Sequence, residues 1–297
     1  LRTLRWGEDG DFDFPPSEGL PKEKWPRPLH FVSSSPPQLR PVLEEKLMMD
    51  DLDWTSDTFK DQAYNLLMGR MDLLRHHVAY KSLAILSIVA QAGPDARFSM
   101  IGDNAESDSF IYLGVKLVTE RLLSPKGYAE YLEIAGVEKV VSAEVVATIK
   151  NLPKSRIDNI LIRNVPGYSL VRESPLTDVV RSFDNFFQAA LLFAVSGLID
   201  PGHTWNLSRS FHNHYGLTLS QVAGTLAALA QAPQVTMELR KAAQGALEKT
   251  QTTPDPEAFK AMESSLAIPP QNLNGMGESE ILKHARAWMQ KMRRERE

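Results

Sequence analysis

Three short segments of this sequence carry side chains able to handle a phosphoryl group. The first is Phe31-Val32-Ser33-Ser34-Ser35-Pro36, a hydroxyl cluster closing an apolar run. A hydroxyl at a strand end, with neighbouring backbone N–H groups, can hydrogen-bond a phosphate oxygen. Ser33 and Ser34 are the candidates for that task. The second is Lys81, at the start of a helical pattern. Its ammonium is a compact charge that can neutralise a phosphoryl oxygen or a carboxylate. The third is Gly102-Asp103-Asn104-Ala105-Glu106-Ser107-Asp108. Asp103 and Asp108 flank a tight loop and offer the hard oxygens that Mg²⁺ prefers, an ion that keeps waters for phosphate to replace. Each segment also has an ordinary reading: a serine turn, a solvated lysine, and a turn residue followed by a helix N-cap.

The elements around these residues favour a joint site. Leu29–Ser33 suits a buried strand, and Gln38–Met48 has helical spacing at Leu39, Val42, Leu43 and Leu47. Residues 57–74 are mixed and polar. Lys81–Gln91 reads as a helix stopped by Gly93-Pro94. Arg97–Ile101 reads as a strand, Asp108–Leu122 as a helix, and Asn159–Arg163 as a second strand. Strands alternating with helices predict an α/β domain with a parallel sheet. Ligand sites in such sheets lie beyond the carboxyl ends of the strands. Ser33 and Asp103 fall there, and their strands are expected to be neighbours or near neighbours.

From about residue 174 the pattern becomes helical: Asp178–Leu198, Leu219–Gln231, Thr236–Lys249, Pro256–Leu266 and Glu278–Arg294. Ser174 or Thr177, Thr218 and Asp255 are candidate caps, and no strand is expected. The expected division is an α/β domain over 1–172 and an all-helical domain over 173–297.

The composition narrows the function. Of 297 residues, 43% are hydrophobic and 24% charged, the mixture of a globular protein and not of a disordered chain. The absence of cysteine excludes disulfides, thiol catalysis and cysteine-ligated metals. A net charge of −4 gives no global attraction to nucleic acid or anionic lipid. Ala189–Ile199 is too short to span a bilayer. The chain opens on Leu1 without a signal-like segment, which reads as an internal fragment of a cytoplasmic protein.

Taken together, the motifs resemble those of the haloacid dehalogenase superfamily. The wording is similar to one branch, the phosphatidate phosphatase catalytic domain of fungal actin-patch phosphatases and bacterial relatives. Leu29–Pro36 with Gln38-Leu39 resembles its strand, serine cluster and Ser-Pro-x-x-Leu. Ile101-Gly102-Asp103 through Asp108, then Ile111-Tyr112, resembles its Gly-Asp-x4-Asp-x-x-Ile-Tyr. Leu161–Val165 resembles its last strand, and the likeness covers roughly residues 1–170. It implies a Rossmann-like sheet and Mg²⁺-dependent hydrolysis of a phosphomonoester, phosphatidate among the possible substrates. Ser33, Ser34 and Lys81 would hold phosphoryl oxygens, and Asp103 and Asp108 the Mg²⁺.

The family's first motif, Asp-x-Asp after a hydrophobic strand, supplies the nucleophile and the general acid/base. Asp11-Phe12-Asp13 has the spacing but follows Arg5–Gly10, which is no buried strand. The resemblance therefore implies that the nucleophile lies upstream of Leu1 and that these residues alone turn over little. The alternatives are a catalytically dead phosphate-binding relative and a protein-interaction relative whose helical half binds a partner.

Other residues invite weaker readings. His76 and His77 precede Lys81 and could approach substrate. His203, His212 and His214 lack helical ligand spacing. Phe183, Phe186, Phe187, Ala190, Leu191 and Ala194 form an apolar stripe better suited to packing than to lipid. Trp205, Phe211 and Tyr215 lack the basic interleaving of a nucleic-acid surface. The expected ligand is a phosphorylated small molecule or a lipid head group.

Overall fold

A computed structural model of the chain describes residues 27–49, 52–59, 77–150, 152–168, 170–173, 175–267 and 273–295. Asp11, Asp13 and His76 lie outside them, as do Ser174 and most of the polar segment 57–74.

The protein is mixed α/β. Its strands are β1 (His30–Ser33), β2 (Ser56–Phe59), β3 (Arg97–Asp103), β4 (Arg156–Arg163) and β5 (Val180–Phe183). Among the helices, α1 is Arg40–Met49, α2 His77–Ala92, α3 Asp108–Thr119, α4 Pro125–Ile134 and α5 Lys139–Ile149. Then follow α6 (Phe186–Val195), α7 (Thr204–Tyr215), α8 (Leu219–Gln231), α9 (Met237–Thr250), α10 (Pro256–Leu266) and α11 (Glu278–Arg294).

Two sheets form instead of one. β1 pairs with β2, and a second sheet has the order β3-β4-β5. The expected adjacency of the strands ending at Ser33 and Ile101 is therefore not found. The reason is local: the Leu29 carbonyl accepts N–H groups from Thr55 and Ser56, so β1 is led into β2. β3 and β4 are parallel, as expected, with Gly102 opposite Ile162 and Asp103 opposite Arg163.

Two compact units emerge. One comprises Phe31–Glu44, Asp57–Ser182 and Ile268–Glu297. Its core is built on α3, a helix apolar on nearly every side: Phe110, Leu113, Val115 and Leu117 are fully buried. A helix of that kind belongs inside a core. Gly114 lets α4 approach, since a Cβ there would lie 2.6 Å from the Tyr131 ring. The Tyr131 ring stacks on Phe110 at 4.2 Å, and Trp288 meets Phe110 at 5.3 Å. Trp288 belongs to α11, expected in the separate helical domain, so that helix packs with the α/β core.

The other unit comprises Leu1–His30, Glu45–Ser56 and Phe183–Ala267. In it α8 packs against α9 and α10. Thr218 closes a capping box with Gln221, and Asp255 accepts N–H groups from Glu257 and Ala258. The helix expected over Asp178–Leu198 is instead β5 followed by α6. Asn185, accepting the Gln188 N–H, caps α6 in place of Thr177 or Ser174. Phe183, Phe187 and Leu191 are buried while Phe186 is exposed. Among the described residues no helix is long and apolar enough to cross a membrane.

Candidate functional site

The candidate site sits at the carboxyl end of β3. Asp103 is the last residue of that strand and Asp108 the first of α3. Ser107, not Asp108, occupies the N-cap position, which frees the Asp108 side chain to turn back over the loop. Its Oδ2 accepts the Asp103 N–H at 3.4 Å, and the Tyr112 hydroxyl lies 3.5 Å from the same oxygen. Tyr112 also donates to the Ile101 carbonyl at 3.1 Å. That return is possible only because residue 102 is glycine. A Cβ there would lie 2.5 Å from Asp108 Oδ2 and 2.8 Å from the Tyr112 ring.

Lys81 reaches the loop from α2. The helix begins by His77, so Lys81 stands in its second turn, not at its start as the sequence suggests. Its Nζ lies 2.5 Å from Asp108 Oδ1 and 2.7 Å from Glu106 Oε2. Lys81 and Asp108 are each only 6% exposed, whereas the Glu106 side chain is half exposed. Burial pushes the Lys81 ammonium toward losing its proton, but two carboxylates, Asp108 first, outweigh it and hold the pKa above the ordinary lysine value. Asp108 also rises above the usual carboxylate value. Burial is the main cause, Lys81 opposes it, and Glu106 and Asp103 add repulsion. The two directions agree physically: the ammonium faces two carboxylates, while Asp108 faces one cation and two like charges. Burial and the nearby carboxylates likewise raise Tyr112 well above the ordinary phenol value.

Asn104 fixes the loop to β4. Its N–H donates to the Arg163 carbonyl at 3.1 Å, its Nδ2 to the Tyr168 carbonyl at 2.9 Å, and its Oδ1 accepts the Val165 N–H at 2.8 Å. Asp103 Oδ1 accepts the Ala105 N–H at 3.0 Å, closing the turn. Three side-chain or backbone bonds on one buried amide make this loop a rigid ledge.

The sequence-predicted residues therefore fall into two groups. Lys81 and Asp108 meet, and Asp103 adjoins them. Ser33 and Ser34 are held in a separate turn after β1, where the Ser33 hydroxyl accepts the Ser35 N–H at 3.1 Å. The Ser34 hydroxyl is shut from solvent and makes no hydrogen bond among the described residues. Sequence reasoning left Glu106, Tyr112 and Asn104 without roles. Tyr112 had a usable signal, since residues four apart on a helix face each other.

Asp103, Glu106 and Asp108 supply the oxygen chemistry a hard cation takes. Among the described residues, no three His, Asp or Glu side chains come together as a metal-holding group. Comparison of the chain with protein-family models, with curated proteins and with solved structures finds no match.

Proposed function

We propose that the protein is a Mg²⁺-dependent phosphomonoester hydrolase of the haloacid dehalogenase type. One observation carries this reading: a buried ammonium, Lys81, held against Asp108 beside Asp103 at the carboxyl end of a parallel strand. An ammonium so placed is pre-oriented and dehydrated, and it meets a phosphoryl oxygen with little reorganisation. The carboxylates of Asp103 and Asp108 would hold the Mg²⁺, which when bound offsets negative charge on the transferring phosphoryl group. Asn104 and Gly102 keep the two carboxylates in place. In this reading Ser33, in the separate turn after β1, offers its hydroxyl to a phosphoryl oxygen, whereas the Ser34 hydroxyl is shut from solvent. The attacking group in this reading is an aspartate, and Asp11 is the candidate within the chain. It would form an aspartyl phosphate that water then hydrolyses. A phosphatidate-like lipid remains one substrate class within this reading.

The test has two parts. Inorganic phosphate is titrated calorimetrically into the protein in Mg²⁺, and Lys81→Met is expected to weaken binding about tenfold or more, the worth of a charge-assisted hydrogen bond. Turnover of para-nitrophenyl phosphate should be strongly lowered by Asp103→Asn, with weakened Mg²⁺ dependence. Phosphate binding that ignores Lys81→Met, or turnover that ignores Asp103→Asn, refutes the assignment.

A further inference from the structure

Beside the ledge lies a cavity of about 520 Å³, within the size range of small-molecule sites. Asn104, Ala105, Glu106 and Ser109 form one wall, Gly167, Tyr168, Leu170 and Val171 a second, and α11 the third through Trp288, Met292 and Glu295. All belong to one compact unit. Glu106 joins the cavity to the site, because the carboxylate that borders it is the one on Lys81.

The lining has a definite chemistry. Glu106 and Glu295 present carboxylates, which accept hydrogen bonds and repel anions. Ser109 is 2% exposed and lines the cavity, so its hydroxyl is a polar group at the wall that can both donate and accept. Tyr168 is half exposed and offers a ring face at the rim. Trp288 cannot compete for these groups, since its Nε1 donates to the Val171 carbonyl at 3.0 Å. Carboxylate acceptors, a serine hydroxyl and a half-exposed tyrosine suit an uncharged polyhydroxylated group. They do not suit a second anion.

Resting on the phosphatase reading, we infer that this cavity seats the alcohol part of the substrate and that this part is a polyol or sugar. The phosphoryl group lies toward Lys81, the hydroxyls meet Glu106, Ser109 and Glu295, and the carbon face of the sugar rests on Tyr168. The enzyme then prefers sugar phosphates over aromatic phosphates and over sugar phosphates bearing a carboxylate.

Calorimetry in Mg²⁺ with four probes tests this: inorganic phosphate, glucose 6-phosphate, 6-phosphogluconate and 1-naphthyl phosphate. Glucose 6-phosphate is expected to bind about tenfold tighter than inorganic phosphate, the worth of one or two net hydrogen bonds. The other two organic phosphates should gain nothing. Ser109→Ala and Tyr168→Ala, which removes the side chain at the rim, should return glucose 6-phosphate to the inorganic phosphate value. Inorganic phosphate itself should be unaffected. Equal affinity for all four probes, a preference for 1-naphthyl phosphate, or a preference untouched by both variants overturns the inference while leaving the phosphate site standing. Failure of inorganic phosphate to bind, with Lys81→Met silent, removes the phosphatase reading and the inference together.

Discussion

Lys81→Met, Asp108→Leu and the double variant should reveal a coupled pair. Both residues are 6% exposed and their charged atoms are 2.5 Å apart. Removing the ammonium leaves the Asp108 carboxylate, among the described residues, with only the Asp103 N–H at 3.4 Å and the Tyr112 hydroxyl at 3.5 Å. Breaking a buried pair from one side costs about 3–5 kcal/mol. Removing the carboxylate should cost less, about 1–3 kcal/mol, because Glu106 still meets the ammonium at 2.7 Å. The double variant leaves neither charge buried, and apolar replacements of buried pairs are often close to neutral. It should therefore be more stable than Lys81→Met alone, with a coupling above about 2 kcal/mol. The assay is amide hydrogen exchange over residues 97–119 in rising urea, which reports the unit holding the pair. Additivity within about 0.5 kcal/mol refutes the claim that these charges stabilise one another.

Gly102→Ala should destabilise the same amides by about 1–3 kcal/mol, the usual penalty for overpacking, because its Cβ would meet Asp108 Oδ2 at 2.5 Å. A neutral result in the same exchange experiment shows that the return of Asp108 over the loop is not tight. Glu106→Gln should tighten inorganic phosphate binding several-fold in calorimetry, since it removes a carboxylate that shares the ammonium. Unchanged or weaker binding contradicts that competition. Glu173 is held below the usual carboxylate value, first by its hydrogen bond from Lys291. Its stabilising effect is therefore present above about pH 4.5 and lost as pH falls through its folded value. Glu173→Gln should flatten the acid limb of the stability curve, and an unaltered limb below the ordinary carboxylate value of 4.5 counts against it.

Much of the site was legible because its signals are local. Gly102, Asp103 and Asp108 lie within seven residues, although the strand expected to stop at Ile101 runs on through Gly102 to Asp103. Helices such as Glu278–Arg294 announce their type through periodicity, but not their partner. Nothing near Trp288 in the sequence reveals that it packs on Phe110. β2 was missed because Ser56-Asp57-Thr58-Phe59 carries one large apolar residue, and pairing with β1 makes it a strand. β5 was missed because Val179, Val180, Phe183 and Phe187 also fit a helical face, and only the Asn185 cap separates strand from helix. α4 and α5 went unread although Ser124 and Pro125 form a cap and first turn. The roles within the site needed three dimensions. A lysine has three N–H donors; here Asp108 and Glu106 take one each. Sequence spacing shows that Lys81 and two carboxylates exist. Burial decides which is structural: Asp108, enclosed with the ammonium, must stay for the pair to survive. Glu106, half exposed and bordering the cavity, can part from the ammonium at little solvation cost.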